Sequence, residues 1–303
     1  MWLALVVQTI VPLILSGVMA FSRHPSRMRW LGMLVAFGMV ISYLLVSSRW
    51  DLSSVYLRPF FIALFIVGSV ASYRRIRPPE EKAGLLQNVA VWAINLSIIV
   101  LMSGFLWFSL RGFLTPEGAV DLVSPLQGRH LVLNGGVSPF TNAHFKIRPQ
   151  DFAIDIVGVN AFGGRASLAG DPGDLERYEI FGHSVFSPCA GRIAVAVDGQ
   201  PDLKPPRRDT ENIAGNHVLI ECGDYEVLLA HLMQGSIQVK KNDQVDVGTL
   251  LGRVGNSGNT SEPHLHLHAE RGGKPGVILD GTAVPITIQG RFLVRNSLFG
   301  RRM

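Results

Sequence analysis

Between Glu262 and His268 the chain reads Glu-Pro-His-Leu-His-Leu-His. Successive side chains of a β-strand point to opposite faces, so His264, His266 and His268 share one face while Leu265 and Leu267 turn to the other. A row of imidazoles backed by a core-facing leucine pair can serve two kinds of chemistry. Neutral imidazole is a common zinc ligand, and it is also a general base near neutral pH. An isolated His-x-His can equally be a polar strand edge, so the elements around it bear on the choice.

Those elements read as β. From about Thr115 the chain alternates short β-branched runs with Gly, Pro, Asn and Asp, the pattern of an all-β domain with many turns. Strands are expected at His130–Leu133, Phe152–Val157, Arg192–Val197, His217–Glu221, Glu226–Leu229, Gln238–Val239, Leu250–Val254 and His264–Glu270. The polar stretch Asp198–Gly215, rich in Pro and Arg, is expected to be an exposed loop with solvated charges. Gly248, Gly252, Gly255 and Gly258 read as turn residues and not as a phosphate loop, because no helical pattern follows them. His183 and His217 fall at strand beginnings and are expected to be structural. Two cysteines, Cys189 and Cys222, are too few for a disulfide framework and lack Cys-x-x-Cys spacing. They are buried thiols or one bridge.

The first third is different. Met1–Phe21, Trp30–Val46 and Val89–Leu110 are apolar runs long enough for the roughly 20 residues of a membrane-spanning helix. Pro59–Tyr73 is a fourth, shorter one. No Lys or Arg precedes Arg23, so the first run lacks the positive start of a signal peptide and reads as a retained helix. The expected organisation is an all-α transmembrane anchor of about four helices over 1–114, followed by an all-β domain over 115–303.

A net charge of +5 and a pI near 9.5 could indicate nucleic acid. Many of the basic residues, however, sit in short loops beside the apolar runs, which is a topology signal. Arg23, Arg27 and Arg29 follow the first run, and Arg74, Arg75, Arg77 and Lys82 follow the third, whereas Arg49 and Arg58 flank Asp51 in the loop between. By the positive-inside rule the two basic loops are cytoplasmic, which places the large domain on the extracytoplasmic side if all four runs span. No nucleic-acid role is expected. Ionisable residues are nearly absent from the runs, which argues against a transporter or channel.

Several segments in order carry a family resemblance. They are Phe152-Ala153-Ile154-Asp155, Val185–Pro188, Gly191–Ile193, Gly215–Ile220, Leu229-Ala230-His231-Leu232, Val245–Gly252 and Gly255–His266. Together they resemble the core of the lysostaphin/LytM-type zinc metallopeptidases over roughly half the chain. The resemblance implies a compact β fold with a groove, one zinc ion, and hydrolysis of peptide bonds in bacterial peptidoglycan.

Carried over by position, it makes Asp155 and His266 zinc ligands and makes His231 and His264 the catalytic pair. Three ligands leave zinc an open position for substrate chemistry, and neutral imidazoles nearby can move a proton or bond an oxyanion. The chain departs from the family at the first ligand, since the residue four before Asp155 is Asp151 and not histidine. His144, Asp151 and His268 are the candidates to complete the site, with His144 favoured because Pro149 can turn the chain back beside the Asp155 strand. The expected cofactor is zinc, and the expected partners are the peptidoglycan peptide and the membrane. The competing expectation is a catalytically degenerate domain that binds peptidoglycan or regulates another wall hydrolase.

Overall fold

The computed structural model describes residues 2–77, 84–167 and 169–300. Met1 and Lys82, both used in the topology argument, lie outside the described residues. The chain divides into two compact units, Met1–Leu110 and Arg111–Met303.

Among the described residues the first unit contains four α-helices: α1 (Trp2–Phe21), α2 (Arg27–Ser47), α3 (Leu57–Tyr73) and α4 (Leu85–Arg111). Three of them, α1, α2 and α4, are long and apolar enough to cross a membrane, with mean hydropathy of 2.0 to 2.2. The 17-residue α3 is apolar but shorter, about 25 Å at 1.5 Å per residue. Ser26 starts α2 by accepting the Arg29 N–H, and Pro59 sits in the first turn of α3, where a missing N–H costs little. Helices α1 and α3 approach closely at Gly68, where a Cβ would lie 3.0 Å from the Ser16 carbonyl oxygen. Large apolar side chains such as Phe21, Ile66, Leu86, Val100 and Trp107 point outward. A water-exposed surface of this kind would be costly, and a lipid-facing one is not.

The second unit is built on strands β1 (Val120–Leu122), β2 (His130–Asn134), β3 (Ile154–Gly158), β4 (Ser184–Phe186), β5 (Gly191–Val197), β6 (Asn216–Cys222), β7 (Tyr225–Leu232), β8 (Gln244–Val245), β9 (Leu250–Arg253), β10 (Leu265–Arg271), β11 (Thr282–Val284), β12 (Ile286–Ile288) and β13 (Leu298–Phe299). The main sheet runs β13-β2-β3-β10-β7-β6-β5-β8, with β11 also paired to β10, and its pairings are antiparallel. Small sheets β1-β12 and β4-β9 complete the unit.

Leu265 and Leu267 are fully buried in a core shared with Ile154, Ile156, Val218, Leu229 and Leu251, as the alternation in β10 requires. Burying a leucine is worth about 2 kcal/mol, which makes a one-residue slip of this strand expensive.

Two expectations for this unit need correction. Gln238–Val239 is not a strand: Gln238 makes a single backbone bond to Leu251, and the ladder residues are Gln244 and Val245 further on. The loop Asp198–Gly215 is irregular, but two of its acidic side chains are not simply solvated. Asp198 accepts from the Gly235 and Ile237 N–H groups, and Asp202 from those of Gln234 and Asn256, so the loop is tied both to the turn that follows β7 and to the segment that follows β9.

Candidate metal centre

Strand register assembles the site. On β10, His266 lies opposite Asp155 of β3 on one side and Ala230 of β7 on the other. Directly opposed residues have Cβ atoms about 5 Å apart, so the Asp155 and His266 side chains meet over the sheet. His231 follows Ala230 at a bulge, where two residues of β7 oppose one of β6 and the register shifts between Asn216 and Val218. Its φ of +63° is in the left-handed region, uncommon for a residue with a Cβ, and it re-aims the imidazole toward its neighbours. The rings of His231 and His264 have centroids 4.8 Å apart, and His231 lies 5.8 Å from His266.

His144 arrives from outside the sheet. Asn142 holds its loop through Nδ2, which donates to the carbonyls of Gly136 and Ala153, while Asn142 Oδ1 accepts the His144 N–H. Arg295 steadies the same corner by donating to the Leu133 and Phe140 carbonyls and to Asn134 Oδ1. Asn134 in turn donates through Nδ2 to Asp155 Oδ2 at 2.8 Å. Sequence reasoning missed Asn134, Asn142 and Arg295, because amides that bond loop carbonyls form no motif and Arg295 reaches Asn134 from 161 residues away.

The result is a buried carboxylate ringed by imidazoles. His144 Nε2 is 2.9 Å from Asp155 Oδ2, His266 Nδ1 is 2.9 Å from Asp155 Oδ1, and His264 Nε2 is 3.5 Å from Oδ1. Burial alone would raise the Asp155 pKa, but the facing histidines hold the carboxyl well below its ordinary value. Burial would lower His144 and His264, but the Asp155 charge beside them leaves both raised. His266 is pushed down to about 3 and His231 also falls well below its ordinary value, in each case chiefly by burial.

His231 and His264 are anchored differently from His144 and His266. His231 Nδ1 lies 2.9 Å from the Ser257 carbonyl oxygen, and His264 Nδ1 lies 2.9 Å from that of Glu262. A carbonyl only accepts, so in each ring the Nδ1 carries a proton; that leaves His231 Nε2 with its lone pair, whereas His264 Nε2 faces the Asp155 carboxylate. Glu262 is held at this corner by a buried ion pair with Arg165, whose Nε donates to it at 2.6 Å.

The donor atoms of His144, Asp155 and His266 lie within 4.8 Å of one another, as do those of His231, His264 and His266. The two groups share His266. Only the first includes a carboxylate to offset the charge of a dication, and two imidazoles with one carboxylate form a familiar zinc set with room for a fourth ligand. Two imidazole nitrogens and a carboxylate oxygen within 4.8 Å of one another are a donor set that fits zinc. Of the three candidates to complete the set, His144 is brought to Asp155, whereas Asp151 and His268 belong to neither group. Asp151 is half-buried at the turn before β3 and meets Asn142 through its backbone carbonyl.

A β domain whose sheet centre carries this donor set and a second imidazole pair has the make-up of a metallopeptidase. Residues 178–276 match the model of Peptidase family M23, so the chain carries a Peptidase M23 domain. The matched stretch contains His231, His264 and His266, while Asp155 and His144 precede it.

The chain is also similar to lysostaphin in solution, at 17% identity over 43% of this chain and 40% of that one, with a TM-score of 0.27. A putative peptidase M23 from Pseudomonas aeruginosa shares 16% identity over 69% of this chain and 62% of that one, with a TM-score of 0.31. A zinc-containing peptidase from Vibrio cholerae shares 21% identity over 39% of this chain and 46% of that one, with a TM-score of 0.24. The chain thus spans less than two thirds of each of these three proteins, and at such scores the likeness fixes no residue's role. No curated protein matches the chain.

Proposed function

We propose that the β unit is a zinc-dependent endopeptidase acting on the peptides of cell-wall peptidoglycan, held at the outer face of the cytoplasmic membrane by the four helices. The observation that carries this reading is the Asp155 carboxylate faced on its two oxygens by His144 Nε2 and His266 Nδ1, each at 2.9 Å, with His231 and His264 alongside. His144, Asp155 and His266 would hold the metal. Zinc bound there would supply Lewis acidity toward a peptide carbonyl and a water.

The remaining chemistry belongs to the protein. His231 and His264, each with Nδ1–H committed to a backbone carbonyl, keep Nε2 for the reaction. The Nε2 of one accepts the proton of the attacking water, and an imidazole bearing a proton on Nε2 donates a hydrogen bond to the carbonyl oxygen as that oxygen gains charge. The positive φ at His231 is backbone strain retained at the place where the ring must be aimed.

Two observations support the extracytoplasmic side. Cys189 and Cys222 form a disulfide, a bond that persists in oxidising compartments. Arg23, Arg27, Arg29, Arg74, Arg75 and Arg77 follow the first and third apolar runs against only Arg49 and Arg58 between, which marks the two richer loops as cytoplasmic when α3 also spans. A periplasm-active reporter fused after residue 303 is active on this reading, and activity only of a cytoplasm-dependent reporter refutes the location.

The deciding experiment is zinc content and peptidoglycan cleavage by the purified chain, its His144→Ala variant and its Asp151→Ala variant. The parent takes up one zinc and releases peptide, His144→Ala loses both properties, and Asp151→Ala keeps the metal. A parent without zinc or turnover identifies the domain as a binder that regulates other hydrolases. Metal loss in Asp151→Ala alone reassigns the third ligand.

A further inference from the structure

On the same face of β10 as His266 stands a histidine that the proposed reaction does not use. His268 is 1% exposed, and its Nδ1 lies 3.0 Å from His266 Nε2. Its own Nε2 has no hydrogen-bond partner among the described residues, yet points toward Glu270 Oε1 at 3.8 Å. Glu270 is completely buried, and its carboxylate is fixed by the N–H groups of Leu279, at 3.1 Å to Oε1, and Gly281, at 2.8 Å to Oε2. A line of polar groups thus runs from the carboxylate of Asp155 through two imidazoles to a second buried carboxylate.

This line admits two proton patterns. In one, His266 carries its proton on Nδ1 and gives it to Asp155, while His266 Nε2 accepts from His268 Nδ1–H. That pattern spends both lone pairs a metal would need, and it leaves the bare His268 Nε2 facing the Glu270 carboxylate, lone pair against lone pair in a buried place. In the other, His268 carries its proton on Nε2, toward Glu270, and its Nδ1 accepts from His266 Nε2–H. The His266 Nδ1 lone pair and the Asp155 carboxylate then converge without a proton between them. Closing the 3.8 Å gap by about an ångström completes the final hydrogen bond.

We propose that His268 is a positioning residue: with Glu270 behind it, it fixes His266 in the tautomer whose Nδ1 is open to the metal. The proposal rests on the metal assignment above and extends it outward from His266. An acceptor behind a ligating imidazole is worth 10- to 100-fold in metal affinity where it has been removed from other sites.

The test is a zinc titration of the full chain in detergent against a competing chelator, with the parent, His268→Leu and His268→Asn. The asparagine oxygen takes the place of the ring Nδ1 and accepts the His266 proton, whereas leucine fills the space and accepts nothing. The expected order is parent and His268→Asn within a few fold of each other, and His268→Leu weaker by 10- to 100-fold. A purely packing role gives the opposite order, because a buried amide is harder to accommodate than leucine. Thermal unfolding of the metal-free proteins reads that packing effect separately.

Glu270→Gln supplies a second arm. It weakens zinc binding in the parent but not in the His268→Asn chain, whose amide oxygen needs no carboxylate behind it to act as acceptor. A loosened 279–281 loop would weaken both equally. If the parent binds zinc and His268→Leu binds it as well, or His268→Asn is as weak as His268→Leu, the positioning role is wrong and the metal assignment stands. A parent that binds no zinc removes both.

Discussion

The polar side chains buried within the four helices are neutral, among them Gln8, Ser16, Ser72, Asn95 and Ser109, and the arginines of these helices sit at or near helix ends. In the β unit the buried polar groups include Asp155, Glu270, Arg165 and the histidines at 231, 264, 266 and 268. A hydroxyl can bond its own helix, as Ser109 does to the Phe105 carbonyl at 2.8 Å, and so it asks little of its surroundings. A buried carboxylate needs positive or donating partners, which Asp155 finds among the histidines and Asn134, and which Asp51, in the turn between α2 and α3, finds in Arg49. The difference separates helices whose buried polar groups are neutral from a β unit that gathers buried carboxylates and imidazoles into one cluster. Each experiment below strains that separation.

The largest effect belongs to the carboxylate end. Asp155→Ala or His266→Ala leaves two of three proposed ligands, and zinc affinity falls well beyond the roughly 100-fold expected for loss of a supporting group. Metal analysis after dialysis checks it. Retention of zinc in both variants would mean that this cluster is an ion-pair network.

Next comes His231→Ala. Its ring is tied to a backbone carbonyl and not to Asp155, so zinc stays within a few fold of the parent while turnover falls about 10²- to 10⁴-fold. Equal loss of metal in the His231 and His266 variants would show that the two imidazole groups have been divided wrongly.

How much of this was readable in advance follows from how local each signal is. The imidazole row and its leucine backing lie within seven residues and follow from strand alternation alone, and Asp155, His231, His264 and His266 were legible through motifs that stay contiguous. The helices announced themselves by unbroken apolar length. The support of His144 was not legible, because Asn134, Asn142 and Arg295 act from positions up to 161 residues apart. Nor was the contact of Asp202 with the turn after β7, since a loop rich in Pro and Arg looks solvated until its partners are in place. Short strands such as β1, β8 and β13 carry two or three residues and too little periodicity to detect.

A smaller effect tests whether burial of charge-prone groups in the β unit carries a cost away from the site. His130 is fully buried between His183 and Phe299, its ring nitrogens have no partner among the described residues, and burial pushes its pKa down to about 4. The unfolded chain protonates this ring near 6.5, so between about 6.5 and 4 it binds more protons than the folded chain, and stability falls as pH falls. The ceiling on that loss is about 3 kcal/mol. His130→Phe should flatten the decline of unfolding free energy across this window, and an unchanged pH profile would place the acid sensitivity elsewhere.

The smallest effect is expected in the helical unit. Ser47 and Ser109 share a buried hydroxyl contact of 2.9 Å between α2 and α4. In lipid such interhelical bonds average only about 0.6 kcal/mol, because the hydroxyl has its own helix carbonyl to return to. Ser109 already uses that alternative, so Ser109→Ala removes one weak link and leaves Ser47 able to bond within α2. Unfolding in detergent should shift by less than about 1 kcal/mol, and zinc content and peptide release should remain at the parent level. If Ser109→Ala instead lowers turnover while metal stays bound, the helices do more than hold the β unit at the membrane. The division of labour drawn from the two kinds of buried polar group would then fail at the helical end.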